Sequence, residues 1–218
     1  MSEPKHDKTS DPAGPFADDE QADLAALIGS RICHDLISPI GAIGNGVELL
    51  AMARADSPEV ALIAESAANA SGRVRFFRVA FGQAAPGQTM PAAETRQTVQ
   101  GYFRGSRITA AWDVPQGIAR TDARLLFLLL LCLESAMPWG GRIEVSPAGD
   151  RFRLVARADR LKCDSALWGR VAPRPKPASE RFPPEPSLVH FALAGPALAR
   201  CGRALSAEFG EAGITLTV

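Results

Sequence analysis

The chain has 218 residues, 46% of them hydrophobic, and its 24 basic residues balance 24 acidic ones. That length holds one large domain or two small ones, and the neutral balance excludes bulk attraction to nucleic acid or to an anionic membrane surface. Cys33, Cys132, Cys163 and Cys201 form no C-x-x-C pair, which excludes the common zinc and redox motifs. No secretory leader is read at the start, so a cytoplasmic protein is expected.

Residues 1–17 are polar, rich in Pro, Gly, Lys and Asp, and lack a hydrophobic period, so a disordered leader is expected there. From about Asp19 to Arg54, Leu24, Ile28, Ile32, Leu36, Ile40, Ile43, Val47 and Leu50 recur at spacings of three and four, the stripe of one long helix. Ser57, Pro58 and Glu59 then form a helix start, with an N-cap, a first-turn proline and an acid at the positive end. Val60, Ile63, Ala67, Ala70, Val74, Phe77 and Phe81 continue this second helix with heptad-like spacing until Ala84–Gly87 ends it. So short a connection folds the two helices into an antiparallel hairpin. One hairpin buries too little alone. Pairing of two into a homodimeric four-helix bundle is therefore expected, the alternative being a hairpin packed on the chain's own second domain.

Beyond residue 92 the elements mix: a helix near Glu94–Phe103, a strand near Arg107–Asp113 and an apolar helix over Thr121–Met137. Its core Leu125–Leu133 falls well short of the roughly 20 residues that span a bilayer, so no membrane segment is expected there. Strands follow at Arg142–Ser146 and Phe152–Ala158, joined by a turn at Pro147–Asp150. Ala172–Pro186 holds six prolines and predicts a loop, before a helix near Leu188–Cys201 and two strands that end at Val218. The pattern is α+β: a helical hairpin followed by an α/β sandwich. The expected divisions are 1–17, 18–86 and 87–218.

On the first helix His34 lies roughly opposite the apolar stripe, because two residues rotate a helix by about 200°. Ser38, Gly41 and Asn45 share that face, a set of small residues that lets another protein approach the imidazole. Gly41, Gly44 and Gly46 each lower helix propensity by about 1 kcal/mol relative to Ala, which predicts a packing or docking reason for them. Antiparallel geometry brings the second helix level with His34 near residue 75, where Arg73, Arg75 and Arg78 suit an anionic phosphoryl group or an acidic partner. They equally suit a solvated helix face. A neutral imidazole is a competent nucleophile near pH 7, and Asp35 is placed to orient it or the incoming partner.

The string His34-Asp35-Leu36-Ile37-Ser38-Pro39 (HDLISP) resembles the phosphoacceptor box of sensor histidine kinases. Over CHDLISPIGAIGNGVELL the chain resembles, more narrowly, the ChpT-type histidine phosphotransferases of α-proteobacteria. That resemblance implies a dimeric helical-hairpin domain followed by a degenerate, Bergerat-like version of the kinase ATP-binding sandwich. LESAMPWGGRIEV resembles the kinase Asn-box helix and its next strand, with Ser135 where the magnesium-binding Asn would stand. ADRLKCDS keeps only Asp159 of the adenine box, and Ser187-Leu188-Val189-His190 stands where a glycine-rich lid is expected. Without those glycines the backbone cannot cradle a triphosphate, so neither nucleotide nor metal binding by this chain is expected. His190 is expected to be a packed or surface histidine.

The resemblance implies relay through His34 between receiver-domain aspartates, with Mg²⁺ supplied by the receiver. It suggests the receiver of a CckA-type hybrid histidine kinase as donor and CtrA-type and CpdR-type response regulators as acceptors. The docking face is expected to comprise Arg31, Ile37, Ser38, Gly41, Asn45 and Glu48 on the first helix and Arg73, Arg75 and Arg78 on the second. The alternatives are a divergent autophosphorylating kinase and a receiver-docking adaptor without catalysis. An HD-type phosphohydrolase would need more His and Asp ligands than the chain offers.

Overall fold

The computed structural model of the chain describes residues 29, 36–38, 40–53, 57–171 and 185–218. The expected leader, the stripe residues Leu24, Ile28 and Ile32, and most of the proline-rich loop lie outside those residues. Helix α1 runs through 36–38 and 40–53. Helix α2, Pro58–Ala80, opens as its sequence predicts: the Ser57 Oγ accepts a hydrogen bond from the Val60 N–H at 3.4 Å and donates to Glu59 at 2.7 Å. That second bond holds the Glu59 carboxyl below its usual range, so the acid stays charged at the positive helix end.

The burial of α2 corrects the single seam expected of it. The predicted positions Val60, Ala67, Ala70, Val74, Phe77 and Phe81 are half-buried and Ile63 is exposed. The fully buried residues are Gly72, Phe76, Val79 and Ala80, a second face that enters the sandwich. Phe76 stacks between Tyr102 at 4.1 Å and Phe127 at 4.5 Å, so the C-terminal turns of α2 belong to the second core.

After α2 come β1 (Thr89–Met90), α3 (Ala92–Phe103), β2 (Ile108–Trp112), β3 (Ile118–Ala119) and α4 (Arg120–Ala136). Then follow β4 (Gly141–Ala148), β5 (Arg151–Arg157), α5 (Ser165–Val171), a 3-10 turn at Pro186–Leu188, α6 (Val189–Cys201), β6 (Ser206–Phe209) and β7 (Gly213–Thr217). The main sheet has the order β2-β4-β5-β7-β6, and β1 pairs with β3 in a separate two-stranded ladder. Only β2 and β4 are parallel in the main sheet, with α4 as the crossover that parallel neighbours require.

Alternation on the strands turns Ile143, Val145, Leu154, Ala156, Ile214 and Leu216 toward the helices and leaves Arg142, Glu144, Arg153 and Arg157 on the open side. Helix α4 is buried on every side from Ala123 to Leu133, which explains an apolar run with no polar face. Its first turn also anchors α2. Arg120 and Arg124 donate to the Arg78 and Ala80 carbonyls, both at 3.4 Å, satisfying carbonyls that a helix end leaves open.

Candidate functional site

Three helices meet where the chemistry is expected. Gly72 on α2 faces Gly101 on α3 so closely that a Cβ built on Gly72 would collide with the Gly101 carbonyl oxygen. Glycine at 72 permits that backbone approach, whereas a Cβ on Gly101 would meet the Gly72 Cα at an ordinary 3.7 Å. Beside this crossing, Ile37 of α1, Arg75, Arg78 and Val79 of α2, and Glu94, Gln97 and Thr98 of α3 line a cavity of about 330 Å³.

His34, Asp35 and Arg31 lie outside the described residues. Of the other predicted docking residues, Ile37 and Gly41 are half-buried, and Ser38, Asn45 and Glu48 are exposed. A Cβ built at Gly41, Gly44 or Gly46 meets nothing within 4 Å, so no packing among the described residues demands these helix-weakening glycines. The three arginines divide. Arg75 and Arg78 line the cavity with Ile37, whereas the Arg73 guanidinium sits 5.3 Å from the centre of the Tyr102 ring. Tyr102 donates to the Glu134 carboxylate at 2.7 Å, and burial, before any other cause, raises the pKa of both groups. Arg73 thus ties α2 to the sandwich.

In the region that resembles a kinase nucleotide site, the Ser135 Oγ and the His190 Nε2 are 3.0 Å apart. His190 is 5% exposed, and burial pulls its pKa down to about 4, which leaves the imidazole neutral at pH 7. It is a packed histidine. Asp159 lines a different cleft, of about 580 Å³, with Trp139 and four arginines, and neither Ser135 nor His190 reaches it. Among the described residues, no group of three or more His, Cys, Asp or Glu could hold a metal ion.

Sequence reading missed the contribution of α3. The available signal was Gly72, a glycine in a helix interior where a Cβ would collide with the backbone of α3.

A family model for the histidine phosphotransferase C-terminal domain matches residues 92–213, from the start of α3 to the start of β7. A protein phosphotransferase ChpT from Brucella abortus (strain 2308) is 39% identical over 146 residues, which cover 64% of this chain and 70% of that protein. A solved bacterial phosphotransferase superposes with a TM-score of 0.58 at 25% identity, covering 94% of this chain and 98% of the other. The chain therefore belongs to the ChpT-type histidine phosphotransferase family.

Proposed function

We propose that this chain relays a phosphoryl group through His34 from the phospho-aspartate of one receiver domain to the aspartate of another, drawing none from ATP. The observation that carries the reading is the HDLISP box standing in a member of the histidine phosphotransferase family. An imidazole nitrogen attacks the phosphorus of the acyl phosphate. The new P–N bond forms as the P–O bond to the receiver aspartate breaks, the aspartate leaves as a carboxylate, and the other ring nitrogen keeps its proton. The second receiver's carboxylate reverses the step. Phosphoryl transfer of this kind depends on positioning and charge stabilisation, so the chain's task is to orient the imidazole while the receiver supplies the metal and acidic pocket.

Two features support the finer parts of the proposal. Ser135 stands where a kinase would place its metal-binding Asn and is occupied by His190, which favours a sandwich without nucleotide chemistry. Leu36, Ile43, Leu49, Leu50, Met52, Leu62 and Ile63 are all exposed on α1 and the first turns of α2. Leu36, Ile43 and Leu50 share one face of α1, and exposed apolar side chains so aligned favour a second copy of the hairpin as their cover, a homodimeric four-helix bundle. A CckA-type receiver as donor and CtrA-type and CpdR-type regulators as acceptors are the partners proposed.

The test incubates wild type and His34→Ala with radiolabelled ATP alone, then with a labelled phospho-receiver. Label on wild type only from the receiver, and none on His34→Ala, is the expected result. Label from ATP alone would overturn the relay in favour of a divergent kinase.

A further inference from the structure

Helix α3 belongs to the sandwich, yet it forms one wall of the cavity whose other walls are Ile37, Arg75 and Arg78 of the hairpin. Ile37 is three residues from His34, so no more than about 11 Å of extended chain separates them. A partner that engages His34 therefore passes close to this cavity.

The polar groups around it are uncommitted. Among the described residues, the guanidinium groups of Arg75 and Arg78 and the amide of Gln97 make no hydrogen bond or ion pair. Gln97 and Glu94 are both exposed. Thr98, by contrast, is satisfied by its own helix, donating to the Glu94 carbonyl at 2.8 Å. Two positive charges and a free amide line one cavity, with a single carboxylate among the lining residues, Glu94, which lies with Arg78 within electrostatic reach of Arg120. An acidic side chain fits between the arginines and the amide, whereas a second acid near Glu94 meets like charge.

The cavity is also held in shape. Gly72 and Gly101 leave no space for α2 and α3 to approach further. The Arg73–Tyr102–Glu134 chain and the two arginines capping α2 bind hairpin to sandwich on either side of that contact. A wall fixed in advance costs a partner little ordering on binding.

Resting on the phosphotransfer reading, we infer that Gln97 and Glu94 on α3 are specificity-determining residues. The receiver docked at His34 seats an acidic side chain between Arg75, Arg78 and Gln97, so the sandwich domain takes part in choosing which receivers are served.

The experiment uses the full chain and two phosphoryl donors. Phosphoramidate, a small donor that needs no docking surface, measures the competence of His34 itself, followed by phosphorus NMR. A phosphorylated receiver domain measures docking together with chemistry. Gln97→Glu places a like charge against the acidic side chain and is expected to raise KM for the phospho-receiver about tenfold, with kcat and phosphoramidate labelling unchanged. Gln97→Asn is expected to recover most of the loss, and Glu94→Gln to lower KM. Wild-type KM for both Gln97→Glu and Glu94→Gln, in a chain whose His34 accepts phosphate from both donors, overturns this inference and leaves the relay standing. A wild-type chain labelled by neither donor overturns the relay and the inference with it. Both substituted positions are exposed, and unchanged phosphoramidate labelling shows that each variant is folded.

Discussion

The two ends of α2 live in different surroundings. Around its first turns and along α1, large apolar side chains face solvent, with Leu49 at 66% and Met52 at 82% exposure. From Phe76 onward they disappear into the core, and Leu125 to Leu130 on α4 are all at 0%. The two regions differ in what the described residues provide to cover them: a sheet and four further helices pack in the sandwich, whereas these side chains of α1 and the first turns of α2 stay exposed. The sandwich closes its own core, and the exposed stripe is where the proposed second copy would matter.

Substitutions should separate the two regions sharply. Phe76→Ala, which empties the space between Tyr102 and Phe127, is expected to lower unfolding free energy by about 3–5 kcal/mol in urea denaturation. A loss below 1 kcal/mol would mean that the end of α2 is not part of the sandwich core.

The next effect is pH-dependent. His190 is held neutral by burial, with its pKa pulled to about 4 from 6.5, so below 6.5 the unfolded chain takes up a proton that the folded chain refuses. Stability due to this group is full above pH 6.5 and falls by about 3 kcal/mol as pH drops toward 4. His190→Gln should flatten that window while leaving stability at pH 8 within about 1 kcal/mol.

The smallest intrinsic effect is expected on the hairpin. Ile43→Ser together with Leu50→Ser, both on the stripe of α1, should change stability at high dilution by no more than about 0.5 kcal/mol, since neither side chain is buried. The same pair should abolish any dependence of the unfolding midpoint on protein concentration. A wild-type midpoint that does not move with concentration would deny the second copy proposed as cover.

Much of the sandwich was legible because its signals are local. The leucine run of α4 admits no exposed face, and the alternation in Arg142–Ser146 and Phe152–Ala158 marks half-buried strands, the first of which the structure extends to Gly141–Ala148 and the second of which it shifts by one residue to Arg151–Arg157. The short β1–β3 ladder and α5 were not anticipated, since two-residue strands and a seven-residue helix are held by neighbours rather than by propensity. The second face of α2 was hidden for a similar reason: the heptad positions from Val60 to Phe81 are the stronger periodic signal, and the importance of Gly72 appears only beside Gly101. At the candidate site, the phosphoacceptor box was read from its resemblance to a family. The cavity walled by α3 belongs to tertiary structure and leaves no spacing to read.

The strand order has a consequence for how the protein is made. Strand β7 lies between β5 and β6, so the main sheet stays incomplete until Thr217 has left the ribosome. The hairpin is synthesised first, on the order of ten seconds earlier at usual elongation rates. Throughout that interval the residues meant to anchor α2, Phe76, Val79 and Ala80, have no sandwich to enter, and the open stripe of α1 is presented alongside them. Co-translational synthesis thus leaves α1 and α2 with their apolar side chains uncovered until the sheet closes.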